Sequence, residues 1–177
     1  MTKNQRLVYI ALLAAQAVII SLVERSIPSP FAFAPGAKLG LANVITCMAL
    51  YTLSIKDASK VVLVRLILAA LLGGTLSTFI YSASGALLSF IGMLLVKNIK
   101  FLPTSLVGVS MTGAVLHNVG QLFVASWIAQ TWTIMLYLPV LSFIGLLTGL
   151  AIGIVADYLL THVDRLHYYM YLKSTKY

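Results

Sequence analysis

Apolar runs of roughly twenty residues, parted by short polar turns, recur from one end of this chain to the other. One such run crosses the ~30 Å hydrocarbon core of a bilayer as a helix. There every backbone N–H and C=O must find its partner inside the protein. Only 9% of the 177 residues are charged and 60% are hydrophobic, with mean hydropathy +1.00. Soluble domains carry about a quarter charged residues. The chain is therefore expected to fold as one integral membrane domain over residues 1–177, all-α and polytopic, with nothing left for a soluble catalytic domain.

The expected spans are 7–24, 38–53, 61–74, 76–96, 105–128 and 133–161, a bundle of about six transmembrane helices. Between the first two, Ser26-Ile-Pro-Ser-Pro-Phe-Ala-Phe-Ala-Pro-Gly36 carries three prolines and excludes regular helix. Gly73 and Gly74 stand where the third span passes into the fourth and could break or kink it. The N-terminal run resembles a signal peptide only superficially. It continues to Val23 and ends in Glu24-Arg25 without a small-residue cleavage site, so it reads as a retained first helix. Cys47 is the one cysteine and lies within an apolar run, which excludes an intrachain disulfide.

Lysine and arginine set the orientation. With the N-terminus cytoplasmic, Lys3, Arg6, Lys56, Lys60, Lys97, Lys100, Arg165, Lys173 and Lys176 fall inside, Arg25 and Lys38 fall outside, and Arg65 falls within a span. Both termini are then cytoplasmic, and the expected location is the cell membrane. The formal charge of +8 belongs to cations held at an anionic inner leaflet. They lie between apolar runs rather than on one polar face, so membrane lipid is the expected partner and nucleic acid is not.

Helices gain little hydrophobic drive to associate inside lipid, so small residues that admit close approach mark contacts. Gly145, Gly149 and Gly153 form one such stripe, read as packing within the bundle. Ala11 and Ala15 form another, for which packing within the bundle and docking of a partner's helix stand level.

Polar groups at membrane depth are costly and point to function. Span five carries Gly113-Ala-Val-Leu-His117-Asn118-Val-Gly-Gln121, with His117 and Gln121 four apart on one face. At 1.5 Å per residue, His117 lies roughly 18 Å from the inner end. Lys38 tops span two, with Asn43 roughly 7 Å below it, and Glu24 and Arg25 close span one at the same level. Arg25, Lys38, Asn43, His117, Asn118 and Gln121 are the candidate substrate-binding set, lining an outward cavity under the Pro-rich loop. The bland alternative is interhelical hydrogen bonding. Taken singly, Glu24 and Arg25 read as interface residues that snorkel. Arg65 reads as a snorkelling arginine in the inner half of span three, or as paired with a partner protein or Asp157. Trp127, Trp132, Tyr137, Tyr158 and the Tyr168-Tyr169-Met-Tyr171 group suit interfacial belts.

Several chemistries lack their residues. There is no G-x-x-x-x-G-K-[ST] phosphate loop. The four acidic residues, Glu24, Asp57, Asp157 and Asp164, form no pair of the kind that chelates Mg²⁺ around a diphosphate. His117, His162 and His167 have no zinc spacing with a cysteine. No serine has an evident base and carboxylate. Catalysis, a metal and a cofactor are therefore not expected.

Pro35-Gly-Ala-Lys38-Leu-Gly-Leu-Ala-Asn43, followed by the His117-Asn118 segment, resembles the small membrane proteins described as heptaprenyl diphosphate synthase component I, also called the Gx transporter family. Size, six spans, a long first outer loop and the alanine element also resemble the substrate-binding (S) components of energy-coupling factor transporters. That likeness implies a subunit that captures a small organic molecule, such as a vitamin, isoprenoid or quinone or flavin precursor. A T component, contacted through Ala11 and Ala15, and ATPase subunits would supply the energy. The inherited name implies instead a non-catalytic accessory subunit of a polyprenyl diphosphate synthase. A scaffold in a membrane redox assembly is a third possibility.

Overall fold

Six α-helices and one 3₁₀ turn carry the chain through the computed structural model, which describes residues 2–26, 38–99 and 104–174, with side chains as far as residue 162. The helices are α1 (Lys3–Ser26), α2 (Asn43–Thr52), α3 (Ile55–Leu71), α4 (Leu76–Lys97), α5 (Leu106–Ile128) and α6 (Leu138–Ser174), with the 3₁₀ turn at Trp132–Tyr137 before α6. Four helical segments are long and apolar enough to cross a membrane: Lys3–Ser26, Leu76–Lys97, Leu106–Ile128 and Trp132–His162. Most of the expected Pro-rich loop, with Pro35 and Gly36, lies outside the described residues, as do Lys100 and Lys176. The side chains of Asp164, Arg165, His167, Lys173 and the tyrosines of the tail lie outside them too.

Local chemistry places the helix starts. Ser54, Thr75 and Ser105 each accept a hydrogen bond from the N–H three residues on, satisfying a donor that the first turn leaves orphaned. Ser54 starts α3 six residues earlier than the apolar run suggests, with Asp57 in the first turn, where the helix dipole favours an anion. At the other end Gly73, at φ +119°, stops α3 and settles the third boundary.

Span two departs furthest from expectation. Only Asn43–Thr52 is helical, about 15 Å of rise, half a bilayer core. Residues 38–40 are not helical, and Gly40 sits at φ +85°. Such backbone survives at membrane depth only where protein satisfies it. Side chains from two other helices do so here, as described below.

α5 is the axis of the bundle. Gly145, Gly149 and Gly153 bring α6 onto it so closely that a Cβ at Gly149 would stand 2.5 Å from Met111 Cα, and one at Gly153 2.7 Å from Val107 Cα. The glycine stripe thus packs within the chain. Gly120 does the same for α4, where a Cβ would stand 2.7 Å from the Ser84 carbonyl oxygen. α1 packs on α3 and α2, with Leu13, Ala14, Ala17 and Val18 among its buried residues. Ala11 and Ala15 face away from this core and are exposed.

At the end formed by the start of α3 and the end of α4, Arg6 pairs with the buried Asp57, which Lys60 also meets at 3.1 Å. Lys97 donates to the Leu50 carbonyl and sits 4.7 Å over the Tyr51 ring.

Candidate functional site

The opposite end of the bundle holds the polar cluster, and its geometry begins with the broken backbone at Lys38–Ala42. Glu24, from the last turn of α1, points inward and is 5% exposed. Its Oε1 accepts from the N–H groups of Gly40 (2.5 Å) and Leu41 (3.2 Å). Gln121, on α5, completes the support: its amide nitrogen donates to the Lys38 carbonyl at 2.8 Å, and its Oε1 accepts from the Lys38 N–H at 2.7 Å. An unpaired backbone group here would cost about 1–3 kcal/mol. These two side chains do the work that helical hydrogen bonds would have done. Glu24 is therefore a buried backbone cap rather than a snorkelling interface residue.

His117 lies between two glycines. A Cβ at Gly40 would stand 2.9 Å from its Cδ2, and one at Gly85 2.8 Å from its Cε1 and Nδ1. The missing methyl groups are the room the imidazole occupies. Neither ring nitrogen makes a well-formed hydrogen bond among the described residues, and the Gly85 backbone is the polar group beside the ring. Asn43 lies across Gly40, where a Cβ would also stand 3.0 Å from its Nδ2, and both its amide atoms are likewise unpartnered among the described residues. Buried polar atoms are rarely left so. Asn118 points elsewhere: its Nδ2 donates to the Leu141 carbonyl at 2.8 Å and ties α5 to α6.

His117 reaches a cleft walled by α1, α3, α4 and the non-helical residues before α2, with Glu24, Arg25, Lys38 and Arg65 on its walls. The space inside the cleft amounts to about 20 Å³. This is a narrow opening, with room inside for one or two waters. Arg25 donates through Nη2 to the Ala69 carbonyl at 2.7 Å, which leaves its buried Nε unpartnered.

Of the six candidate residues, the cleft gathers Arg25, Lys38 and His117. Asn43 stands behind Gly40, while Asn118 and Gln121 are engaged with backbone. Sequence reasoning missed Arg65, which is 4% exposed and lines the cleft rather than snorkelling to the inner surface. The reason is the early start of α3. Arg65 is ten residues beyond Ile55, about 15 Å along the helix, and thus nearer its far end. The cap Ser54 followed by Asp57 was the available signal.

A second hollow of about 560 Å³ separates α1 from α6 above α2. It is apolar, lined by Leu12, Ile19, Val44, Met48 and Leu159, with Gln16 at its side. Among the described residues no three His, Cys, Asp or Glu side chains converge as metal ligands would.

No curated protein and no solved structure matches the chain. The sequence model of one family, described as heptaprenyl diphosphate synthase component I, matches residues 13–159, from the buried face of α1 to the apolar part of α6. The chain belongs to the heptaprenyl diphosphate synthase component I family.

Proposed function

We propose that this chain is a non-catalytic subunit, resident in the cell membrane, of an assembly that makes or handles polyprenyl diphosphates. It holds an isoprenoid ligand at the bilayer while a partner subunit performs the chemistry. The observation that supports this reading most is the cleft, where cations outnumber carboxylates in a buried setting beside an apolar bundle. Prenyl transfer itself needs paired carboxylates to hold Mg²⁺ on a diphosphate. In this chain Glu24 is spent on backbone, and Asp57 sits at the other end with Arg6 and Lys60. The apolar hollow beside α1 has the volume of a small-molecule pocket, about 300–1,000 Å³, and suits a hydrocarbon chain.

Affinity purification from native membranes tests this. Recovery of a soluble, aspartate-rich prenyltransferase whose product formation rises when this subunit is added supports the reading. Recovery of a membrane T component with two ATPases overturns it in favour of a second reading, the S-component-like uptake subunit. One observation favours that second reading: the cleft lies opposite the end bearing Arg6, Lys56, Lys60 and Lys97, and the positive-inside rule turns such a cleft outward. Under it, Lys38→Ala and His117→Ala abolish uptake of a small anionic substrate, with Ala11 and Ala15 on the exposed face of α1 meeting the T component.

A further inference from the structure

Three cationic side chains, Arg25, Lys38 and Arg65, share the cleft with one carboxylate, Glu24. That carboxylate is already engaged by two backbone N–H groups, and no ion pair joins it to a cation among the described residues. No other carboxylate lines the cleft among the described residues. Residues 27–37, which follow α1, contain no acidic residue. Asp57 is held by Arg6 and Lys60 at the far end, and the remaining two, Asp157 and Asp164, belong to α6, none of whose described side chains lines the cleft. Uncompensated charge out of water is costly, and attraction to an opposite charge is strongest there. Arg65 is buried and Arg25 and Lys38 are half-buried, so the two cations in excess favour a ligand that brings at least two negative charges. Arg65 is 4% exposed and has no hydrogen bond or ion pair among the described residues, while the buried Nε of Arg25 is also unpartnered. A guanidinium offers a planar fork of donors that matches phosphate oxygens, which an ammonium does not.

We propose that the mouth of this cleft binds a phosphate-type anion, the head of a diphosphate or phosphomonoester, on Arg25 and Lys38, with one terminal oxygen taking the water-sized space inside and reaching toward Arg65. The bearer of that head, an isoprenoid, rests on the function proposed above; the charge argument stands without it. A phosphomonoester lipid head, as in phosphatidate, presents the same chemistry.

The test uses the whole chain in phosphatidylcholine nanodiscs, titrated calorimetrically with inorganic pyrophosphate, farnesyl diphosphate, farnesol and benzoate. Pyrophosphate and farnesyl diphosphate are expected to bind, with farnesol and benzoate at least ~10-fold weaker, the loss of about one charge-assisted hydrogen bond. Arg65→Gln is expected to weaken pyrophosphate by ~10-fold or more and Arg65→Lys by less. Where Arg65→Gln does not fold, Lys38→Gln takes its place and is expected to weaken pyrophosphate too. Nanodiscs containing phosphatidate separate the sources: competition with pyrophosphate assigns the site to a lipid head, and its absence to a soluble or prenyl diphosphate. Benzoate binding as well as pyrophosphate, no pyrophosphate binding, or unchanged affinity in the folded variant overturns the proposal. A co-purifying prenyltransferase without pyrophosphate binding removes this site and leaves the proposed function. Pyrophosphate binding without that partner does the reverse.

Discussion

The polar residues at the cleft end divide by what their atoms touch. Glu24 and Gln121 hold backbone, Asn118 holds a neighbouring helix, and Arg25, Lys38, Arg65 and His117 present groups to the cleft. Removing a member of the first set should therefore cost stability before it costs binding. Glu24→Ala orphans the N–H groups of Gly40 and Leu41 and is expected to lower stability by about 1–3 kcal/mol, with Glu24→Gln milder because an amide oxygen still accepts. Thermal unfolding in detergent reads the difference, and equal Tm values for the three proteins would contradict the capping role. Gly40→Ala meets two obstacles, φ +85° and a Cβ 2.9 Å from the His117 ring, and should cost about 1–3 kcal/mol.

Helix packing rests on glycines that face backbone, and these can be told from glycines that face space. A Cβ at Gly149 meets Met111 Cα at 2.5 Å, whereas one at Gly108 meets only Ser105 Oγ at 3.5 Å, an ordinary contact. Gly149→Ala should destabilise by about 1–3 kcal/mol as α6 is pushed off α5. Gly108→Ala should stay within about 0.5 kcal/mol of the parent. Chemical unfolding of the two variants side by side checks the contrast. α2 is too short to cross a bilayer by itself; it is held by α1 and α5 through the supported turn at Lys38–Leu41.

The two ends of the molecule differ in charge and in fastening. At the end remote from the cleft, burial pushes the Asp57 carboxyl up, but hydrogen bonds from Lys60, Arg6 and Ser54 outweigh it and hold the group below the usual carboxylate range. A carboxylate with a lowered folded value stabilises the fold at neutral pH. That contribution is lost as pH falls through it, below about pH 4. Unfolding temperature measured from about pH 6 to about pH 3 should fall more steeply for the parent than for Asp57→Asn. The excess of lysine at this end predicts that it is cytoplasmic. In a Cys47→Ala background, a cysteine at Gln130 should react with an impermeant maleimide in intact cells, and one at Lys56 only after permeabilisation. Labelling in the opposite order would invert the bundle.

Some of this was decided by the chain alone. Apolar runs too long and too poor in charge for a soluble fold dictate membrane helices, because burial in hydrocarbon depends on length and composition, which are local properties. The depth of the polar cluster follows the same way, from counting residues along a helix at a fixed rise. Tertiary structure decided which of those polar groups are free. Whether Gln121 faces a ligand or the backbone of Lys38 depends on a bend more than eighty positions earlier in sequence, and periodicity holds no record of it. Arg65 joined the cleft because a serine cap started α3 early, and Glu24 became a backbone cap because a glycine turn claimed it. Sequence spacing places a side chain on a helix; only the neighbouring helix, brought close by glycine, determines what it meets.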